Sequence, residues 1–207
     1  MFITGASSGI GEACARTFAA NGARLRLNAR KRTKLEELNK VLESECSASV
    51  YLLPFDVRDR EAIKKSLNSL PSDWQDIDVL INNAGLVIGV DKEFEGNLDE
   101  WDIVIDTNIK GIISMSKYII PLMRERKYGR VINISSVNAF LASKSDKLWR
   151  HAYNATKAAV IGLTIGMAGS YTNDGITSNA VCPGLFKTEM TENSLFKSED
   201  FMNMYNS

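Results

Sequence analysis

With 207 residues, 44% of them hydrophobic, the chain is long enough to bury the core of one domain. Its 25 Lys and Arg balance 25 Asp and Glu, so the overall charge gives no reason to expect nucleic acid or an anionic membrane as a partner. Cys14, Cys46 and Cys182 are scattered without metal-ligand or Cys-x-x-Cys spacing; they read as packing residues, and no metal site is expected. No basic and apolar leader precedes the first strand, and the uncharged stretch 158–171 is shorter than the roughly 20 residues of a membrane helix. Together these features point to the cytoplasm.

The chain is organised around Thr4-Gly5-Ala6-Ser7-Ser8-Gly9-Ile10-Gly11. Apolar Phe2-Ile3 leads in, and a helical pattern of Ile10, Ala13, Cys14, Thr17 and Phe18 leads out. A strand that turns sharply into a helix leaves the first helical N–H groups pointing outward. Glycines let the backbone bend there and let a phosphate approach the positive end of the helix dipole. The spacing predicts a first helix over 10–21, stopped by Gly22, and a second strand over 24–28. Basic Arg30-Lys31-Arg32 follows, then a charged helix over 33–45. A third strand over 50–55 ends on Asp56-Val57, and Asp59 caps a helix reaching residue 70. A fourth strand over 77–81 ends in Asn82-Asn83-Ala84-Gly85. A long helix over 98–126 carries Pro121, a candidate kink. Strands over 130–135 and 176–181 flank a helix over 153–171, and two short helices are expected from 188 onward.

Short strands alternating with helices predict an α/β fold: a doubly wound, Rossmann-like parallel sheet within three αβα layers. Ligands of such sheets sit outside the carboxyl ends of the strands, where strand order reverses. The glycine turn, Arg30, Asp56, Asn83, Ser136 and Pro183-Gly184 all fall at those ends. An NAD site of this kind carries an acid about 20 residues after the glycines. Here Asn28-Ala29-Arg30-Lys31-Arg32 has none, and Arg30 suits a 2′-phosphate, so NADP is expected ahead of NAD.

Tyr153 and Lys157 are four apart on one predicted helix face. A nearby ammonium favours the phenolate, so a tyrosine placed this way can exchange a proton with a carbonyl or alcohol oxygen. Ser136, ending the fifth strand, can hydrogen-bond the same oxygen, whereas strand alternation turns Ser135 to the other side.

These motifs together resemble the short-chain dehydrogenase/reductase family over nearly the whole chain. The glycine turn, Asn82-Asn83-Ala84-Gly85, Tyr153-Asn154-Ala155-Thr156-Lys157 and Pro183-Gly184 with Thr188 carry the likeness. The resemblance implies the strand order 3-2-1-4-5-6 and an oxidoreductase that moves a hydride between nicotinamide and a secondary alcohol or ketone. In it Tyr153 is the general acid/base, Lys157 holds the nicotinamide ribose and lowers the tyrosine pKa, and Ser136 orients the substrate oxygen. Asn108 supports a water in the proton relay. The cofactor would meet Gly5, Ser7, Ser8, Gly9, Ile10 and Gly11 at its phosphates and Arg30 at its 2′-phosphate. Asp56 and Val57 lie at the adenine, and Asn83, Ala84 and Gly85 at the ribose. Pro183, Gly184 and Thr188 join Tyr153 and Lys157 at the nicotinamide.

Three departures stand out. The Ser136–Tyr153 spacing is about four residues longer than the family's usual one. The surplus loop brings Lys144, Lys147, Trp149, Arg150 and His151 toward the substrate; His151, two before Tyr153, points away from it. The family continues into a seventh strand beyond the last residue here, and the first strand is short at its amino end; either the sequence is a fragment or the sheet has an uncovered edge that a partner must protect. Finally, 70–108 is similar to 3-hydroxy acid dehydrogenases, while 184–190 is more like gluconate dehydrogenases; a small polar substrate satisfies both. The apolar helix 153–171, with Gly162, Gly166 and Gly169, and the isoleucine-rich helix before it imply a homodimer or homotetramer. Two rival readings share the fold: a catalytically silent dinucleotide-binding sensor, and an epimerase or dehydratase that keeps its cofactor tightly bound.

Overall fold

The computed structural model describes residues 1–88, 97–141, 151–186 and 188. Six parallel strands form one sheet in the order β3-β2-β1-β4-β5-β6. They are β1 (Phe2–Ile3), β2 (Leu25–Ala29), β3 (Val50–Pro54), β4 (Val79–Asn82), β5 (Gly129–Ile134) and β6 (Ile176–Val181). The helices are α1 (Gly9–Ala20), α2 (Arg32–Cys46), α3 (Arg60–Asn68), α4 (Leu98–Ile105), α5 (Gly111–Glu125) and α6 (His151–Tyr171). Short β1 sits at the centre, with Phe2 opposite Arg26 on one side and Leu80 on the other. Strand order therefore reverses between β1 and β4, where a doubly wound sheet opens its ligand crevice.

Apolar side chains of the strands feed two layers. On one face Ala15 and Ala19 of α1 and Leu35, Leu38 and Leu42 of α2 pack on Ile3, Leu25, Leu27 and Ile81. On the other, Ile63 and Leu67 of α3 and Met115, Ile119 and Met123 of α5 pack on Phe2, Leu80 and Val131, joined by Met167 and Tyr171 of α6. Most of these are fully buried, each contributing about 1.5–3 kcal/mol of transfer free energy. A polar line crosses the second layer. Asn82 Nδ2 donates to Asn133 Oδ1 at 2.9 Å, and Asn133 Nδ2 donates to Thr164 Oγ1 of α6 at 3.0 Å.

Helix starts follow local chemistry. Asp59 caps α3 by accepting from Ala62 N–H at 2.9 Å, as its position predicts, and Asn97 caps α4 through Asp99 N–H. Elsewhere the sequence and structure differ. The helix expected over 98–126 is interrupted by a π turn at Asp106–Lys110, which inserts an extra residue between α4 and α5. Pro121 is not where the ladder breaks: it lies inside α5. The carbonyl it leaves unpaired belongs to exposed Lys117, which water can serve. Lys144, Lys147, Trp149 and Arg150, expected near the substrate, and the short helices expected beyond 188 lie outside the described residues. No described helix is long and apolar enough to cross a membrane.

Candidate active site

The carboxyl ends of the strands enclose a cavity of about 350 Å³. It runs from Arg30, Asp56 and Arg58 at one end, past the glycine turn, to Ser136, Tyr153 and Lys157 at the other. Among the expected residues, Gly5, Ser7, Ser8, Gly9, Ile10, Val57, Asn83, Ala84, Gly85, Pro183, Gly184 and Thr188 border it too. Gly11 and Asn108 lie behind its wall.

The glycine turn is built for close approach. Gly5 has φ +63°, a left-handed conformation that side chains resist. A Cβ on Gly11 would collide with the Gly5 carbonyl and stand 2.5 Å from Asn83 Nδ2. The turn is tied to β4: Thr4 Oγ1 accepts from the N–H groups of Asn83 (2.9 Å) and Ala84 (3.0 Å). Asn83 Nδ2 in return donates to the carbonyls of Thr4 and Gly5 at 2.9 and 3.0 Å. The Asn83 amide thus braces the glycine turn, a role visible only once β1 and β4 are neighbours. Ser8 precedes α1 in extended backbone without a side-chain cap, so the first-turn N–H groups face the cavity uncapped. Thr188 returns to this turn, with its Cβ 3.3 Å from where a Gly9 side chain would begin.

At the far end Arg30 is exposed and makes no hydrogen bond or ion pair among the described residues, while Arg32 pairs with Glu36. Asp56 is held by Arg58, whose hydrogen bonds keep its carboxyl below the usual carboxylate range. Asn28, fully buried, donates to the carbonyls of Leu53 and Phe55 and fixes the β2 and β3 ends beside this pocket.

Lys157 is only 5% exposed. Its Nζ donates to the Ile134 carbonyl at 2.8 Å and lies 5.6 Å from the centre of the Tyr153 ring. Burial pulls its ammonium from 10.5 down to about 8, with the nearby Cys182 pulling weakly the other way. Ser136 Oγ accepts from Asn138 N–H at 3.2 Å, which leaves its O–H to donate. Ser135 also borders the cavity, contrary to strand alternation, because β5 has ended at Ile134; its hydroxyl is spent on the Lys157 carbonyl at 2.7 Å. His151 is exposed at the start of α6 and does not border the cavity.

Asn108 sits in the π turn, 1% exposed. Its Oδ1 accepts from Leu86 N–H at 2.9 Å, and its Nδ2 donates to the Leu86 carbonyl (3.0 Å) and Thr156 Oγ1 (3.1 Å). Both donors are used, so the side chain clamps Leu86 to α6. Thr156 completes the clamp by donating to the Tyr153 carbonyl at 2.8 Å. Thr156 and Arg58 were not singled out from sequence. Their only signals are places inside the Tyr-x-x-x-Lys interval and two residues beyond a strand-end Asp.

The donor set fits a dinucleotide phosphorylated at the 2′ position. Backbone N–H groups and the glycines of the turn would suit a pyrophosphate, and an unengaged guanidinium would suit a 2′-phosphate where a carboxylate would favour a bare ribose. Comparisons with known proteins agree. A family profile described as short chain dehydrogenase matches residues 1–198. An NADP-dependent 3-hydroxy acid dehydrogenase of Escherichia coli is 33% identical over 97% of this chain and 77% of its own length. The closed form of a serine dehydrogenase complexed with NADP+ superposes with a TM-score of 0.84 at 33% identity, over 99% of this chain and 79% of that one. A gluconate 5-dehydrogenase from Burkholderia cenocepacia, in complex with NADP and tartrate, gives 0.89 at 30% identity, over 98% and 77%. On the profile match, the identities and the shared fold, the chain belongs to the short-chain dehydrogenase family.

Proposed function

We propose that the protein is an NADP-dependent oxidoreductase that interconverts a small polar secondary alcohol and its ketone. The observation that carries this reading is one cavity with an unengaged Arg30 at one end and Ser136, Tyr153 and Lys157 at the other. The α1 N-terminus and the glycine turn would hold the pyrophosphate, Arg30 the 2′-phosphate, and Asp56 and Val57 the adenine side. Gly85 and Lys157 would flank the nicotinamide ribose, with Pro183 and Gly184 beyond it. When bound, the nicotinamide supplies or accepts the hydride at the carbinol carbon.

Tyr153 gives its phenolic proton to the carbonyl oxygen as the alcohol forms, and takes it back in the oxidative direction. Ser136 donates to the same oxygen and fixes its position. The Lys157 ammonium stabilises the phenolate; its own proton is loosely held because it is buried. Asn108 and Thr156 hold the Tyr153 end of α6 and Leu86 in register, and the π turn supports a water in the proton path. Relatives named for 3-hydroxy acids, serine and gluconate support a small hydroxylated acid as substrate.

Ile113 of α5 is 44% exposed and Ile165 of α6 68%, and added Cβ atoms at Gly162, Gly166 and Gly169 would meet nothing within 4 Å. These open apolar faces support a homodimer or homotetramer through α5 and α6 in the cytoplasm, and Ile165→Arg should lower the mass seen by light scattering. The function is tested by absorbance at 340 nm with serine, 3-hydroxybutyrate and gluconate under NADP+. Turnover that disappears in Tyr153→Phe is expected; NADPH binding without turnover on any hydroxy acid or keto acid would make the protein a silent sensor instead.

A further inference from the structure

We infer that Arg58 sets the preference for a 2′-phosphorylated dinucleotide by neutralising Asp56, a carboxylate that shares one end of the cavity with Arg30. The inference rests on reading that cavity as an NADP site. Asp56 N-terminal to α3 is gripped on both oxygens. Arg58 Nε lies 3.0 and 3.1 Å from Oδ1 and Oδ2, Nη2 lies 2.7 Å from Oδ2, and the Arg58 N–H donates to Oδ1 at 2.9 Å. A turn closed by Asp59 N–H on the Asp56 carbonyl at 3.0 Å brings the guanidinium back over the carboxylate. Forked guanidinium–carboxylate pairs of this kind are the strongest ion pairs a surface offers. Arg58 also feels Asp106 at the end of α4, but that carboxylate has its own partner in Lys110 at 2.6 Å.

Asp56, Arg58 and Arg30 all border the same end of the cavity, and the Arg30 charge is felt at Asp56. A bare Asp56 would act twice against a 2′-phosphate. It would repel the incoming dianion, and it would draw Arg30 to itself. Both effects fall on the phosphorylated cofactor and spare NADH. Arg58 removes both by holding the carboxylate in a neutral pair while leaving Arg30 unengaged. It is a positioning residue, acting on the cofactor through Asp56, and its place two residues past the strand end is what lets it fork back.

The test is calorimetric titration of NADPH and NADH into wild type, Arg58→Ala, the double variant Arg58→Ala/Asp56→Asn, and Arg30→Ala. Arg58→Ala should weaken NADPH about tenfold and NADH less than about twofold, and the loss should shrink in 0.5 M salt. The double variant should bring the NADPH-to-NADH affinity ratio back to within about threefold of wild type, because any shared loss of an adenine contact cancels in the ratio. If Arg58→Ala weakens both cofactors alike, or if the double variant keeps the ratio of the single one, the inference is overturned. Arg58→Gln serves where the alanine variant does not fold, as judged by its thermal midpoint. Arg30→Ala separates the two levels: a ratio that collapses there but is untouched by Arg58→Ala sinks only the role of Arg58. No preference for NADPH in wild type sinks the NADP reading and this inference with it.

Discussion

Replacing Lys157 by Met should make the protein more stable at neutral pH while ending turnover. Lys157 is 5% exposed, and among the described residues its ammonium makes one hydrogen bond, to the Ile134 carbonyl at 2.8 Å. Burial brings it from 10.5 to about 8. At 1.36 kcal/mol per pKa unit, the charged form costs the folded state about 3 kcal/mol below pH 8. Met keeps the length of the stem and removes the charge, but it strands the Ile134 carbonyl, a loss of about 1 kcal/mol. The net gain at pH 7 is therefore about 2 kcal/mol. The sign with pH follows from linkage. Between about pH 8 and 10.5 the unfolded chain binds the lysine proton more firmly than the folded one, so wild-type stability from this group rises with pH across that window. Urea denaturation with Lys157 intact and with Lys157→Met, both in a Tyr153→Phe background that removes the coupled phenol, from pH 7 to 10.5 reads the difference, in which titrating groups not coupled to Lys157 cancel. The advantage of Lys157→Met should shrink above pH 8 and reverse near pH 10.5. A variant less stable than wild type at pH 7, or a difference flat with pH, would show that Lys157 carries no such burden.

Further outcomes follow from individual contacts. Tyr153→Phe should lower kcat by about 10²–10⁴ through loss of the proton donor, with NADPH affinity within a few-fold of wild type by titration. Gly11→Ala drives a methyl into the Gly5 carbonyl and against Asn83, and should cost about 3 kcal/mol in urea denaturation and lower NADPH affinity. Asn133→Ala breaks the line from Asn82 to Thr164 and leaves a small void, so it should cost about 3 kcal/mol in the same assay with turnover retained.

The strands were legible because each is a short apolar run closed by turn residues; β1 and β6 fall on Phe2-Ile3 and 176–181 as read, and the other four shift by a residue or two. The doubly wound sheet followed from alternation and the ligand edge from where Arg30, Asp56, Asn83 and Ser136 fall, while the strand order is the one the family resemblance implies. The π turn was not legible. Ile103, Ile109, Ile112 and Ile113 keep a helical rhythm straight through it, and the contact that requires glycine just after it is tertiary: at Gly111 a side chain would start 2.9 Å from Val57 Cγ2. The side-chain clamps were hidden for the same reason. Asn83 and Asn108 spend their amides on Gly5 and Leu86, partners 78 and 22 residues away, and nothing local announces that. Ser135 misled because alternation holds only while the strand lasts.

The most direct measurement is calorimetric titration of NADPH and NADH into wild type and Arg30→Ala. NADPH binding at least about tenfold tighter than NADH, with the preference lost and NADH binding kept in Arg30→Ala, is the predicted result. Equal affinity for the two cofactors, or a preference for NADH, would contradict the assignment of this cavity to NADP.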